Sequence, residues 1–434
     1  MALEKMRGRR MRSGEQAVVV GAGRSGIAAA RLLRRAGTKV RLLDSNPRAM
    51  SGREQLAAEL KALGVDVQLG AHEPRQFEDA SWVVPSPGMP VARLEGLVTT
   101  EATEILAEME LAWRFLDSEP VLAVTGTSGK TTTASLAAAM LHAQGYAVFL
   151  GGNIGTPLSE YVLSGHKADV LVVEVSSFQL QACSTFCPKA GILLNITPNH
   201  LDYHRDMEEY TEAKFRLFRC QDEGDLAVLG ESLKEEAQKH NLKARKVFVN
   251  GGGRFPHSRL FGAHNRFNEE AAWQACRLFG VTEANAARAV EQFAPLPNRL
   301  ERVAERNGVL YINDSKCPTV SSLKVAREAF DRPVRLLCGG KFKGGDLTSL
   351  ASLVKEKVRE VALFGASREH FEKAWQKLVP ITWHETLEPA VRFVTANAQS
   401  GDVILMAPAT ASFDLYRNYE ERGEDFRRIV RGLS

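Results

Sequence analysis

No apolar run in the 434-residue chain approaches the ~18 residues that a membrane-crossing helix needs, so no membrane partnership is expected. Cysteine is sparse. Cys183, Cys187, Cys220, Cys276, Cys317 and Cys338 are scattered, with no C-x-x-C pair and no zinc-ligand spacing. That excludes a disulfide framework or a structural zinc site and suits reduced thiols in the cytoplasm. Excess charge is lacking too. With 56 Lys and Arg against 52 Asp and Glu, the net charge of +4 gives no basis for a nucleic-acid surface. Basic residues crowd only at the start, where Lys5, Arg7, Arg9, Arg10 and Arg12 are followed by no apolar segment. Residues 1–15 therefore read as a solvated, disordered tail and not as a secretory signal.

What is present is an alternation of apolar strands, glycine turns and helices over a length that suits about three domains. The run from Val121 to Ala134, VLAVTGTSGKTTTA, reads as a buried strand that stops at Gly126 and passes through Gly129 into a helix beginning near Lys130. Glycines let backbone N–H groups close on an anion, and the helix start adds its partial positive charge. ATP is the expected guest. Lys130 can reach its β- and γ-phosphates, Thr132 follows in the first helical turn, and the Thr131 hydroxyl is placed for a shared Mg2+. The G-x-x-G-K-T-T spacing is two residues shorter than the common phosphate loop, which makes this a variant form.

Nearer the N-terminus, QAVVVGAGRSGIAAARLLRRAG is a strand, a tight turn and a helix, with Gly21, Gly23 and Gly26 in G-x-G-x-x-G spacing. A second strand ends in Asp44, where a ribose-binding acid belongs in a dinucleotide fold. Taken alone this turn suits NAD or any nucleoside diphosphate. Farther on, a Pro-bracketed turn carries Ser86 and Gly88. In the central region, GGNIG carries Asn153, and ADVLVVEVSSFQL is an apolar strand from whose C-terminal end Glu174 emerges, well placed as a second Mg2+ contact. His200, Asp202 and His204 lie beyond the next apolar strand. Lys214 sits in a helix where a solvated lysine is the ordinary reading. Asn265 and Asn268, three apart, share one helix face and suit either a helix cap or a contact to base or ribose. After FAPLPNRLE, which carries Arg299, three apolar strands end in polar loops. These loops gather Asp314, Lys316, Lys343 and Ser412 along one edge of another α/β sheet.

An ATP loop, a separate diphosphate turn and a cationic third edge fit a ligase that activates a carboxylate as an acyl phosphate better than a simple kinase. In order and spacing, TGTSGKTTT, GGNIG, EVSSFQL, NITPNHLDYH, GAHNRFN, LPNRLE, INDSK, GGKFKGGDL and PATASFDLYRNYEERG resemble the Mur ligases, from about Val18 to the C-terminus. EVSSFQL, INDSK and the YEERG ending are similar to the branch that adds D-glutamate to UDP-N-acetylmuramoyl-L-alanine. The resemblance implies an α/β protein of three domains: a Rossmann-like UDP-sugar domain over residues 16–107, a P-loop ATPase-like parallel-sheet domain over 108–295, and a Rossmann-like domain for amino acid and nucleotide over 296–434.

The resemblance also implies roles, residue by residue. Lys130, Glu174, His200, Lys214 and Lys316 are the expected catalytic set. Gly126, Gly129, Lys130, Thr131, Thr132, Asn265, Asn268, Arg299 and Asp314 are expected around ATP. Two Mg2+ ions are implied, on Thr131, Glu174, His200 and a carbamate formed by CO2 on Lys214. UDP-N-acetylmuramoyl-L-alanine is expected at Gly23, Ser25, Gly26, Asp44, Ser86, Gly88, Asn153, Ser176, Ser177 and Gln179, and D-glutamate at Lys343, Ser412 and Phe413. A monomer is expected. Three positions depart from the family pattern: Asn199 stands where Asp is usual, Asn298 where His is common, and the loop N-D-S-K-A/G-T-N becomes Asn313-Asp314-Ser315-Lys316-Cys317-Pro318-Thr319, which removes at Pro318 a hydroxyl expected to touch D-glutamate. The rival readings are a folylpolyglutamate-type ligase, which lacks the N-terminal turn, a nucleotide-binding regulatory protein without catalysis, and an NAD-dependent oxidoreductase, which leaves the ATP loop unexplained.

Overall fold

The computed structural model describes Arg9 and residues 11–201 and 203–433. Three α/β sheets follow one another along the chain. The first comprises β1 (Gln16–Val20), β2 (Lys39–Asp44), β3 (Val65–Leu69), β4 (Trp82–Pro85) and β5 (Glu104–Ile105), ordered β3-β2-β1-β4-β5 with every pairing parallel. β1 and β4 are apolar almost throughout because both faces of a parallel sheet are covered. The order reverses at β1, so the glycine turn that follows it opens at a crevice between diverging crossovers.

The second sheet comprises β6 (Val121–Thr125), β7 (Val148–Gly152), β8 (Val170–Glu174), β9 (Ala190–Leu193), β10 (Leu226–Gly230) and β11 (Arg245–Val249). It is ordered β11-β10-β9-β6-β8-β7, again all parallel. Here β6 lies between β8 and β9, and the helix Lys130–Gln144 that leaves its end is closed by Gly145 in the left-handed region. The third sheet comprises β12 (Glu301–Arg306), β13 (Val309–Asn313), β14 (Val334–Gly339), β15 (Val358–Phe364), β16 (Ile381–His384) and β17 (Val403–Met406), ordered β12-β13-β17-β14-β15-β16. Only the β12–β13 pairing is antiparallel.

The chain forms two compact units, the first running up to Arg254 with Phe267–Val290 and the second comprising Phe255–Arg266 and the chain from Glu291. The first unit holds two sheets, joined by buried charge. Glu110, fully buried, accepts from Arg114 Nε (3.1 Å), Thr185 Oγ1 (2.6 Å) and Phe186 N (2.9 Å), while Arg114 also pairs with Glu104 of β5. Glu108 Oε1 accepts the Ser159 N–H at 2.6 Å. Glu110 is worth its desolvation because several donors meet it, whereas Glu108 Oε2 has no partner among the described residues and burial raises its carboxyl above the ordinary value.

The disordered-tail reading needs correction where the chain is described; residues 1–8 and Arg10 lie outside the described residues. Met11 is buried in the core, Gly14 N donates to Gly37 O (3.1 Å), and Glu15 accepts from Trp82 Nε1 (2.7 Å) while Arg9 lies over the Trp82 ring. A buried methionine and a buried indole N–H needing an acceptor hold this segment. Among the described residues no helix is long and apolar enough to cross a membrane.

Candidate active site

In the first unit, β6 ends at Thr125 and the chain turns through Gly126 (φ 151°) and Gly129 (φ 86°), conformations open to glycine and costly for other residues. A Cβ on Gly129 would stand 2.6 Å from Asn268 Oδ1 and 3.0 Å from a Leu194 methyl, so the loop lies directly against the buried Asn268. Asn195, at the end of β9, braces the loop from the other side: its Oδ1 accepts Ser128 N (2.9 Å) and its Nδ2 donates to Ser128 O (3.2 Å). Thr131 and Thr132 follow in the first helical turn.

Two lysines converge on this loop. Lys130 Nζ donates to Gly126 O (3.0 Å) and Thr127 O (3.1 Å), and Lys214 Nζ donates to the same Gly126 O at 2.9 Å. Lys214 is buried, with its amine 4.6 Å from the Tyr210 ring centroid. Burial, then the nearby Lys130 charge, holds that amine well below the ordinary lysine value. A solvated lysine, the ordinary reading of a helix lysine, is therefore wrong for this position.

Glu174 closes β8 and is buried. Its Oε1 accepts from Asn153 Nδ2 (2.9 Å), whereas Oε2 is buried with no hydrogen-bond partner among the described residues. A buried carboxylate oxygen without a partner, on a strand end paired with β6 just before the phosphate-type loop, is an environment a hard cation satisfies. Among the described residues no cluster of three or more His, Cys, Asp and Glu could hold a metal by itself.

His200 is held at φ 58° inside a group of rings: Phe178 lies at 4.9 Å and Tyr210 at 6.3 Å, and Phe178 stacks on Tyr203 at 3.7 Å. Asp202 lies outside the described residues. Tyr203 OH donates to Met89 O (3.1 Å), bringing the turn with Ser86 and Gly88 to the same segment. Ser176 caps the short helix Ser177–Gln181 and pairs with Gln179, while Ser177 Oγ meets His204 Nε2 at 2.9 Å. Ser177 and Gln179 are almost fully buried, so their side chains shape this wall from behind.

At the first sheet, Gly26 is required by close approach, since a Cβ there would stand 1.9 Å from Gly21 O. Gly23 has open space beside it, next to Ser25. Asp44, expected at a ribose, is engaged in the turn itself: Oδ2 accepts Ala22 N (2.7 Å) and Oδ1 accepts Asn46 N (2.9 Å).

In the second unit, Asn265 donates to Phe261 O at 2.7 Å. Asp314 accepts Leu300 N (3.1 Å), and enclosure raises its carboxyl to about 6 against the lowering effects of that N–H and of Arg299. Lys316 Nζ lies 5.0 Å from the Tyr419 ring centroid, and Lys343 Nζ lies 6.0 Å from that of Phe413. Phe413 is 67% exposed, and Ser412 beside it is buried.

Comparison with known proteins adds three matches in chain order. Residues 15–105 match the Mur ligase MurD-like N-terminal domain, 124–273 the Mur ligase middle domain, and 298–410 the Mur ligase glutamate ligase domain. The chain belongs to the Mur ligase family. A Mur ligase of Desulfovibrio desulfuricans named UDP-N-acetylmuramoylalanine--D-glutamate ligase is 77% identical over 434 residues, covering all of both chains. One of the same name from Geotalea uraniireducens is 40% identical, covering 96% of this chain and 97% of its own. The solved MurF ligase of Thermotoga maritima in complex with ADP shares the fold, with a TM-score of 0.59 at 17% identity over 98% of this chain and 99% of that one.

Against the Mur ligase pattern, two departures acquire a structural account. Asn298 (φ 63°) is buried and fully engaged: its N–H donates to Glu301, its O accepts Lys316 N (3.1 Å), and its Oδ1 accepts Asn313 Nδ2 (3.0 Å). Thr319, the residue that could stand in for the hydroxyl lost at Pro318, caps the helix Val320–Glu328 by accepting Ser322 N at 3.2 Å. Asn199 accepts the neighbouring His200 N–H at 3.0 Å. Sequence reasoning missed Asn195 and Tyr210. A polar residue closing the apolar strand AGILLN was the available signal for the first; for Tyr210, whose OH meets Thr127 Oγ1 at 3.0 Å, the sequence held none.

Proposed function

We infer that the chain is an ATP-dependent ligase that joins D-glutamate to UDP-N-acetylmuramoyl-L-alanine during peptidoglycan precursor synthesis, as a cytoplasmic monomer. Full-length relatives named for this reaction support it. The observation that carries the chemistry is the convergence of Lys130 and Lys214 on the Gly126 carbonyl, with a buried carboxylate oxygen without a partner on the strand end paired with β6.

ATP phosphates lie on the loop from Gly126 to Thr132, against the helix N-terminus and Lys130. A substrate carboxylate oxygen attacks the γ-phosphorus and ADP leaves. The D-glutamate amine then attacks the acyl carbon, and phosphate departs with the former carboxylate oxygen. In-line positioning and positive charge supply most of the rate in such transfers. Lys214, whose amine is held by burial well below the ordinary lysine value, takes up CO2 as a carbamate and releases a proton. Thr131, Glu174, His200 and that carbamate would hold Mg2+, which when bound neutralises phosphate oxygens. Arg299, Asp314 and Lys316, with Asn265 and Asn268, serve the nucleotide. Gly23, Ser25, Gly26, Ser86 and Gly88 receive the UDP-sugar, while Asp44, Asn153, Ser176, Ser177 and Gln179 support that surface. Lys343, Ser412 and Phe413 receive D-glutamate. The N-terminal sheet with its glycine turn favours this reading over a folylpolyglutamate-type ligase.

The test is oxygen transfer. With the L-alanine carboxylate labelled by 18O, one labelled oxygen is expected in the released phosphate for each amide formed. Unlabelled phosphate would exclude the acyl-phosphate route.

A further inference from the structure

Arg422, in the helix Tyr419–Arg431, is 1% exposed, yet every acceptor around it is neutral. Nε donates to Ser315 Oγ (3.0 Å); Nη2 donates to Ser315 O (2.9 Å) and Thr410 O (3.2 Å); Nη1 donates to Gly339 O (3.3 Å) and Thr410 Oγ1 (3.4 Å). Burial lowers its pKa only to about 10, so the guanidinium keeps its charge at neutral pH. No carboxylate hydrogen-bonds the buried guanidinium, and the nearby charges that favour it, Asp414 among them, do not offset its burial, so fold stability alone would be served as well by an apolar side chain.

The three residues it ties together follow the ends of neighbouring strands. Ser315 lies beyond β13, Gly339 ends β14 and Thr410 lies beyond β17, and these strands are adjacent in the order β13-β17-β14. Lys316 follows Ser315 directly, Ser412 is two residues past Thr410, and Lys343 is four past Gly339. The β14 and β17 loops are also paired, Lys341 N to Ala411 O (2.8 Å) and Ala411 N to Lys341 O (3.0 Å). Gly340, at φ 129°, permits this: a Cβ there would stand 2.3 Å from Ala411 O and 2.4 Å from Thr410 Oγ1. The next residue of the helix, Gly423, lets it approach the Asn298–Asn313 pair, since a Cβ would stand 1.7 Å from Asn298 Oδ1.

We propose that Arg422 is a positioning residue for the acceptor amino acid: its planar fork holds the loops bearing Lys316, Lys343 and Ser412 in one arrangement. The proposal rests on the reading of this edge as the D-glutamate site. A lysine in its place keeps the charge and loses the fork, so it does not substitute.

Steady-state kinetics of the full chain decide it, using Arg422→Lys, Thr410→Val and, as a control, Lys343→Ala. Thr410→Val removes one hydroxyl from the network and guards against misfolding of the arginine variant. In Arg422→Lys, and in Thr410→Val should the lysine variant fail to fold, the KM for D-glutamate rises about tenfold or more, the size of one lost charge-assisted hydrogen bond. The KM for UDP-N-acetylmuramoyl-L-alanine stays within about twofold because that substrate does not meet these loops. An unchanged D-glutamate KM in the folded variants, or an equal rise for every substrate, overturns the positioning role. If Lys343→Ala leaves the D-glutamate KM unchanged, the acceptor-site reading itself is overturned, and the proposal with it.

Discussion

Lys130 and Lys214 donate to a single oxygen, the Gly126 carbonyl, at 3.0 and 2.9 Å. Two ammonium groups on one acceptor repel each other, and burial together with that repulsion holds the Lys214 amine well below the ordinary lysine value. A Lys amine depressed in the folded state binds fewer protons there than in the unfolded chain. It therefore opposes folding at low pH, and stability rises as the pH climbs toward the ordinary lysine value. Lys214→Met should raise the melting temperature at pH 6 and flatten this rise, while lowering kcat by about 100-fold or more through loss of an anionic ligand. Removing dissolved CO2 should slow the parent enzyme, with recovery on adding bicarbonate, and should leave the residual rate of Lys214→Met unchanged.

Asp314 carries the opposite kind of strain. Enclosure lifts its carboxyl to about 6, above the ordinary aspartate value, so it favours folding most when protonated and loses that contribution as the pH rises through 6. Asp314→Asn keeps an acceptor for Leu300 N and removes the charge. The variant should melt higher than the parent at pH 8, with the gap narrowing as the pH falls below 6 and closing only below about 4, and its KM for ATP should rise about tenfold. A lower melting temperature at pH 8 would show that the carboxylate is stabilised by its surroundings.

Thr319 caps the helix Val320–Glu328, which engages the one hydroxyl beside Pro318. Thr319→Ala is expected to cost about 1 kcal/mol of stability, measured by denaturant unfolding, with the D-glutamate KM unchanged. A selective rise in that KM would place the hydroxyl on the substrate.

Glu110 joins the first two sheets from a fully buried position. Glu110→Ala strands Arg114 Nε and the Thr185 and Phe186 donors, so a loss of about 3 kcal/mol or more is expected on unfolding, far above the effect of an exposed ion pair. A loss below about 1 kcal/mol would mean that water replaces the carboxylate.

Much of this architecture is legible in the sequence where the signal is local. The β6 strand, the Gly126 to Gly129 turn and the helix from Lys130 stand as the spacing of VLAVTGTSGKTTT predicts, because glycine conformation and helix start are set within a few residues. What is not legible depends on partners far away in the chain. The segment from Met11 to Glu15 looks like the end of a charged tail, yet it is anchored by Trp82, about seventy residues on. Asp44 has the spacing of a ribose ligand but turns to its own loop, and the sequence has no way to show which oxygen is left over. The charge of Arg422 looks like that of any exposed helix arginine. Only the packing of the helix Tyr419–Arg431 on the ends of three strands reveals that it is buried with neutral hydrogen-bond acceptors.

The measurement closest to the central claim is phosphate release from ATP with Mg2+ and UDP-N-acetylmuramoyl-L-alanine, comparing D-glutamate with L-glutamate, L-lysine, meso-diaminopimelate and no amino acid. Release driven by D-glutamate alone is the predicted result. Release driven by another amine, or equal release without any, would contradict the account.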